Sequence, residues 1–331
     1  MKTRINKEWI LQVAKDIAPK LAVELHTPIA TGIVYSALSG IQSEEPLQPL
    51  NGTNNDWSIV SRIDVANFEI ANKIALQSLQ FGAECLHFYL TEIPNSNELS
   101  ALFFDIECNW IQSYLFIEKT ISESDISEIH SVLLQFNPSL DLSRIRVFST
   151  IDSSPIRKIT FSNLGENENS YKEWASQILD LFTSDFRNLD AITFYGNSNI
   201  LWNIVQLRAL RFLILRMLEI YDQNQNELNI HFSIDSNCIA PDPYQNLIST
   251  TTIGMSGILA SVDSIEFPIH KNVQNEEIWI LSSIQAQYIL KEESKLNKVI
   301  DPLYGSHAIE EMTETLCEKI WQHIKESSNT N

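Results

Sequence analysis

Glycine and basic residues are scarce in this 331-residue sequence, which has 9 Gly and 23 Lys+Arg against 42 Asp+Glu. So few glycines leave little of the backbone free to wrap phosphates, as glycine-rich turns at helix N-termini do. The formal net charge of −19 excludes non-specific nucleic-acid binding, which needs Lys and Arg to displace counterions. It also argues against an anionic membrane surface and gives no field to steer phosphorylated ligands. Cysteine is sparse and dispersed: Cys85, Cys108, Cys238 and Cys317 form no C-x-x-C pair. Zinc ribbons, redox dithiols and secreted disulfide frameworks need closer spacing, so these read as four reduced thiols in a cytoplasmic protein. Long apolar runs are missing as well. The most apolar stretch, Phe212–Leu218, is short and contains Arg216, which excludes a membrane span. The basic start, Met1 to Trp9, is not followed by an apolar segment of leader length.

What is present is enough apolar material for a core, 44% of residues, in an ordered alternation. Trp9, Ile10, Val13, Ile17 and Leu21 fall at helical spacing before a Pro-containing, Asn-Gly-bearing stretch at 41–56 that reads as an extended arm. Strand-type runs follow at Trp57–Ile63, Cys85–Leu90, Tyr114–Ile117, Ile145–Ser149, Ile159–Phe161, Ala191–Phe194, Leu228–Ser233 and Ser264–Phe267, with Ala101–Ile106 as a further short strand hairpin-paired to the third. Helical patterns cover Ala66–Gln80, Glu123–Phe136, Ser170–Phe182, Ile200–Tyr221, Pro243–Ala260, Glu277–Glu292 and Ala308–Glu326. Eight strands alternating with helices imply a parallel sheet closed into an α/β (β/α)8 TIM barrel. No G-x-G-x-x-G turn opens the first helix, which argues against a dinucleotide-binding fold. Between the fourth and fifth strands, Ile151 to Arg157 with Pro155 leaves no room for more than a vestigial crossover helix. The expected organisation is an N-terminal helix and arm over 1–56, a barrel with closing helices over 57–326, and a polar tail over 327–331.

Candidate chemistry is thin. Asp105 and Glu107 would share a strand face and form an acid/base pair, although a solvated loop pair explains them as well. His231 with Asp235 has the composition of a base and its orienter, and equally that of a satisfied histidine at a strand entrance. Gly254-Met255-Ser256-Gly257 lacks the nucleophile-elbow spacing and sits in a helical pattern. Arg208, Arg211 and Arg216 suit a phosphate clamp, but on an outer helix they are expected to pair with acidic neighbours. Glu166–Asn169 reads as a surface loop. No catalytic, substrate-binding, cofactor-binding or metal-ligating residue is assigned.

The end of the chain is more specific. Val299–Ile324 reads VIDPLYGSHAIEEMTETLCEKIWQHI. Asp301-Pro302 followed by Gly305-Ser306 is strong turn and helix-start chemistry, Glu310 lies near the positive end of the next helix, and Leu316, Ile320 and Ile324 share one of its faces. Together with Thr313 and Trp321, these residues resemble the end of the barrel in the methylmalonyl-CoA mutase family. Tyr304 and His307-Ala308 depart from that pattern. Gln287, Leu290 and Glu292-Glu293-Ser294 resemble the family's run just upstream. Ile204–Ala209 with Arg211 resembles its basic helix, and Asp242, Tyr244 and Asn246 sit as in its helix after the seventh strand. Gly32-Ile33, Tyr35 and Trp57 give a weaker N-terminal likeness.

The resemblance implies radical rearrangement of an acyl-CoA by an adenosylcobalamin-dependent isomerase of propionate metabolism. It also implies a cobalt-ligating His within Asp-x-His-x-x-Gly. None of His26, His87, His130, His231, His270, His307 or His323 has that context, and the chain stops about where a cobalamin domain would start. Active members carry Gly-Tyr-His after the fifth strand, where Ile159-Thr160-Phe161-Ser162-Asn163-Leu164-Gly165 stands here. Beyond the seventh strand, His231–Asn237 is shorter than the family's segment and lacks its arginine. Phe148, Phe161, Phe194, Phe232 and Phe267 are expected to fill a barrel axis that active members leave open for CoA. The expected function is therefore that of a small-subunit-like, inactive partner of a catalytic mutase subunit, with adenosylcobalamin held only by the partner. The alternatives are the substrate chain of a split mutase, or a stand-alone or homodimeric barrel with another ligand.

Overall fold

The computed structural model describes residues 26–30, 33–36, 55–150, 157–161, 164, 168–183, 189–221, 229–270 and 273–328. An antiparallel hairpin of β1 (His26–Ala30) and β2 (Ile33–Ser36) comes first. Eight parallel strands follow: β3 (Ser58–Asp64), β4 (Cys85–Leu90), β5 (Gln112–Ile117), β6 (Ile145–Ser149), β7 (Arg157–Phe161), β8 (Leu189–Gly196), β9 (Ile230–Ile234) and β10 (Ser264–Glu266). The helices are α1 (Phe68–Gln80), α2 (Ser96–Leu102), α3 (Glu123–Phe136), α4 (Glu168–Thr183), α5 (Ile200–Ile220), α6 (Pro243–Leu259), α7 (Glu276–Tyr288) and α8 (His307–Ser328). The strand order β6-β5-β4-β3-β10-β9-β8-β7 joins the first barrel strand to the last: Val60 pairs with Cys85 on one side and Glu266 on the other. This is the expected α/β (β/α)8 barrel, with a seam between β6 and β7 where no ladder is recorded among the described residues. Only residues 150–156 separate those two strands, and 151–156 lie outside the described residues.

Each strand alternates between two faces. In β4, Leu86, Phe88 and Leu90 join the apolar layer under the helices, while His87 and Tyr89 reach groups in the interior. Local signals fix where helices begin. Asn67 caps α1, Asn95 with Glu98 and Ser122 with Asp125 form capping boxes on α2 and α3, and Asp242 precedes Pro243 at the start of α6. The apolar layer falls into two clusters. One packs β3–β6 against α1, α2, α3 and α7; the other packs β7–β10 against α4, α5, α6 and α8.

Several sequence expectations need correction. Ala101–Ile106 is not a strand: the capping box commits Ser96–Leu102 to a helix, and Asp105 then turns the chain at φ 59°. The helix expected over Glu277–Glu292 is present but is not α-helical throughout. The α-helix ends at Tyr288, and a π-helical turn covers Ile289–Glu293, leaving Lys291 bonded to the Trp57 carbonyl at 2.7 Å and to Glu84 at 2.8 Å. Glu168 and Asn169 begin α4 rather than completing a loop. The hairpin β1–β2 was not foreseen. The helix expected over Trp9–Leu21, most of the arm and residues 329–331 lie outside the described residues.

Candidate functional site

Strand alternation sends a set of polar and aromatic side chains into the barrel. Parallel strands covered by helices are ordinarily apolar on both faces, so polar residues at every second position mark the inward face. They are Arg62 in β3, His87 and Tyr89 in β4, Tyr114 in β5, Thr193 and Tyr195 in β8, His231 and Ser233 in β9, and Ser264 and Glu266 in β10. Glu266 is the hub and is wholly buried. Its Oε1 accepts from Ser233 Oγ at 2.7 Å, from Arg62 Nη1 at 3.3 Å and from Tyr89 OH at 3.4 Å. Its Oε2 faces His87 Nδ1 at 3.2 Å and His231 Nε2 at 3.5 Å. The guanidinium of Arg62 lies over the Tyr89 ring, 4.0 Å from its centroid.

Burial by itself pushes the Glu266 carboxyl up. The imidazoles of His231 and His87 and the charge of Arg62 outweigh it and hold the acid well below the usual carboxylate range. Burial and the Glu266 charge push the phenols of Tyr89 and Tyr195 up. The His87 and His231 rings approach to 4.6 Å between centroids, from strands on opposite sides of the β3–β10 pair. Tyr114, Phe116 and Phe148 stack beside them, with Phe116 and Phe148 centroids 5.5 Å apart. Among the described residues they border a cavity of about 30 Å³ lined by His87, Tyr114, Phe148, Thr193, His231 and Ser264, among others. That cavity has room for a water molecule.

The expected phenylalanine plug is thus partly misplaced. Phe148 faces the interior, but Phe161, Phe194, Phe232 and Phe267 belong to the layer between strands and helices. Phe161 meets Trp174 edge-on, and Phe267 lies so close to Gly254 that a Cβ there would sit 2.1 Å from its ring. The axis is filled by other residues, His87, Tyr89, Arg62, Glu266 and His231, which the strand alternation would have revealed had parity been known. Asp105 and Glu107 are exposed on a loop and share no strand face. Asp235 does not orient His231: it caps the short helix Ser236–Cys238, and the carboxylate beside His231 is Glu266. Ser256 lies inside α6, donating to the Ile253 carbonyl and accepting from Asn203.

The three arginines of α5 pair with acids. Arg216 meets Glu219 at 2.7 Å on the surface, and Arg211 meets Asp263 at 3.0 Å. Arg208 is fully buried between Asp301, at 2.5 and 2.6 Å, and Glu310, at 2.9 Å. Glu310 also accepts from Gly305 N at 3.1 Å. The acidic residues of the C-terminal signature and the arginine of the α5 patch therefore form one lock between two outer helices, away from the interior.

The sequence is also similar to known proteins. Residues 188–330 match the family model described as methylmalonyl-CoA mutase. The methylmalonyl-CoA mutase small subunit of Porphyromonas gingivalis is 26% identical over 86% of this chain and 54% of that subunit. The methylmalonyl-CoA mutase of Rhizobium meliloti is 29% identical over 44% of this chain and 21% of that protein. The large subunit of Propionibacterium freudenreichii is 28% identical over 40% of this chain and 19% of that subunit. The chain is thus similar in its C-terminal part to methylmalonyl-CoA mutases, and its likeness to a small subunit extends over most of its length. It spans about half the length of that small subunit and about a fifth of the other two. The histidines of the sequence do not match the motif that ligates cobalamin. No histidine lies in the Asp-x-His-x-x-Gly context, and His87 and His231 are enclosed with Glu266 inside the barrel.

Proposed function

We propose that this chain is a non-catalytic partner of an adenosylcobalamin-dependent acyl-CoA mutase subunit in the cytoplasm, within propionate metabolism. The filled barrel axis carries this reading: the ion cluster around Glu266 and the stacked Tyr114, Phe116 and Phe148 occupy the space that a CoA arm would need. The absence of Tyr and His after the fifth barrel strand supports it, and no residue here is given a catalytic role. The cofactor belongs to the partner. In this reading residues 1–56 form an arm, 57–326 the barrel and 327–331 a tail, with arm and barrel helices making the interface. The exposed Tyr244 and Ile248 of α6 and Ile278 of α7, with Trp279 edge-on to Tyr244 at 4.9 Å, offer an apolar surface for it.

Co-purification with a catalytic mutase subunit is the test. The expected result is a stable heterodimer, weakened about tenfold or more by Ile248→Asp, and no acyl-CoA isomerisation by this chain with adenosylcobalamin alone. Absence of any complex at micromolar concentration overturns the pairing. Turnover after addition of a separate cobalamin-binding protein instead supports a split mutase.

A further inference from the structure

We propose that His87, His231 and Glu266 form a binding site for a divalent transition-metal ion of the zinc class in the barrel interior. One donor atom from each residue lies within 4.8 Å of the others, and all three side chains are buried. A tetrahedral ion with bonds of about 2.1 Å sets its ligand atoms about 3.4 Å apart. Glu266 Oε2 stands 3.2 Å from His87 Nδ1 and 3.5 Å from His231 Nε2, so closing the third edge, which is at most 4.8 Å, completes a facial trio.

The two carboxylate oxygens divide their roles. Oε1 accepts from Ser233 and Arg62, Tyr89 OH lies 3.4 Å from both oxygens, and Oε2 faces the imidazoles. Beyond them, His231 Nδ1 lies 2.9 Å from Ser264 Oγ, the outer partner that orients a metal-binding imidazole. A second observation points the same way. His231 Nε2 is buried with no hydrogen-bond partner, and the carboxylate oxygen with which it would share the ion lies 3.5 Å away. The adjoining cavity of about 30 Å³, lined by both histidines, has room for a water in the fourth position. Arg62 is the cation that opposes a second positive charge, and it is partly neutralised by Asp64 at 3.4 Å. Two neutral imidazoles and one carboxylate are a donor set that zinc accepts. The site does not depend on the pairing proposed above.

The full chain, stripped with chelator, is titrated with Zn²⁺ by competition calorimetry and with Co²⁺ by visible absorption. The expected result is one tight equivalent per chain, low-coordinate Co²⁺ bands and a Zn²⁺-dependent rise in Tm that chelator reverses. Ser264→Ala weakens Zn²⁺ about 10-fold, while His231→Asn and His87→Gln weaken it beyond the about 100-fold upper range for outer-shell changes. No uptake at micromolar Zn²⁺ or Co²⁺, or uptake unchanged in both histidine variants, overturns the proposal. If those variants do not fold, X-ray absorption of the zinc-loaded wild type decides. A shell of two imidazoles and a carboxylate supports the site, and any sulfur ligand or a shell without imidazole overturns it.

Discussion

Two buried ionic clusters lie in different layers of this barrel. Outside, between α5 and α8, Arg208 is clasped by Asp301 and Glu310, one cation between two acids on elements that follow one another around the outer ring. Inside, Glu266 gathers Arg62, His87, His231, Ser233 and Tyr89 from three other strands, one acid among several polar partners. The outer cluster holds the residues that carry the likeness to methylmalonyl-CoA mutases, and the inner one lies in the barrel interior. A signature can therefore report how a barrel is closed without reporting what the barrel does. Buried ion pairs contribute little net energy over apolar packing, yet losing one partner is costly. Here that cost would fix α8 on α5 in one cluster and the filled interior in the other.

The largest expected effect falls on the outer lock. Arg208→Met leaves Asp301 and Glu310 buried without their cation and is expected to cost about 3–5 kcal/mol in urea unfolding. A loss under about 1 kcal/mol would mean that the lock is dispensable. Next comes Glu266→Gln, expected to cost about 2 kcal/mol at pH 7 by removing charge-assisted hydrogen bonds. Because the folded carboxyl is depressed, its stabilisation is fully present above the unfolded value of about 4.3 and is lost as pH falls through the lower folded value. The gap between wild type and Glu266→Gln should therefore be widest above about pH 5 and close on further acidification, as read from unfolding curves across pH. A gap independent of pH would assign the cost to shape rather than charge. The smallest effect belongs to Arg216→Ala. Its pair with Glu219 is exposed on both sides, so the change should stay under about 0.5 kcal/mol. A larger loss would erase the contrast between buried and exposed arginines on one helix.

Much of the fold was legible because strands and helices announce themselves locally. Cys85–Leu90, Ile145–Ser149 and Glu123–Phe136 have the bounds that periodicity and capping suggest. Ala101–Ile106 misled because ALFFDI is strand-like in composition, while the capping signal lay just upstream at Asn95 and Glu98. The interior was harder to read. Which face of a strand points inward depends on register, and a one-residue error exchanges the two faces. Four of the five phenylalanines assigned to the axis sit outside it for that reason, and the polar residues between them, such as His87 and Glu266, were passed over. For His231 the sequence offers Asp235, near along the chain, as one candidate partner, whereas Glu266 is the carboxylate near it in space.

The ring also has a consequence for how the chain is made. Strands β3–β6 leave the ribosome first, but the apolar face beneath them is completed by Ile280 and Ile284 of α7, which follow β10. The first half of the barrel thus waits, with that surface uncovered, until nearly the whole sequence has been synthesised. An N-terminal fragment ending at β6 would lack its lid, whereas the second half carries most of its own cover, including α8, in the residues that follow it.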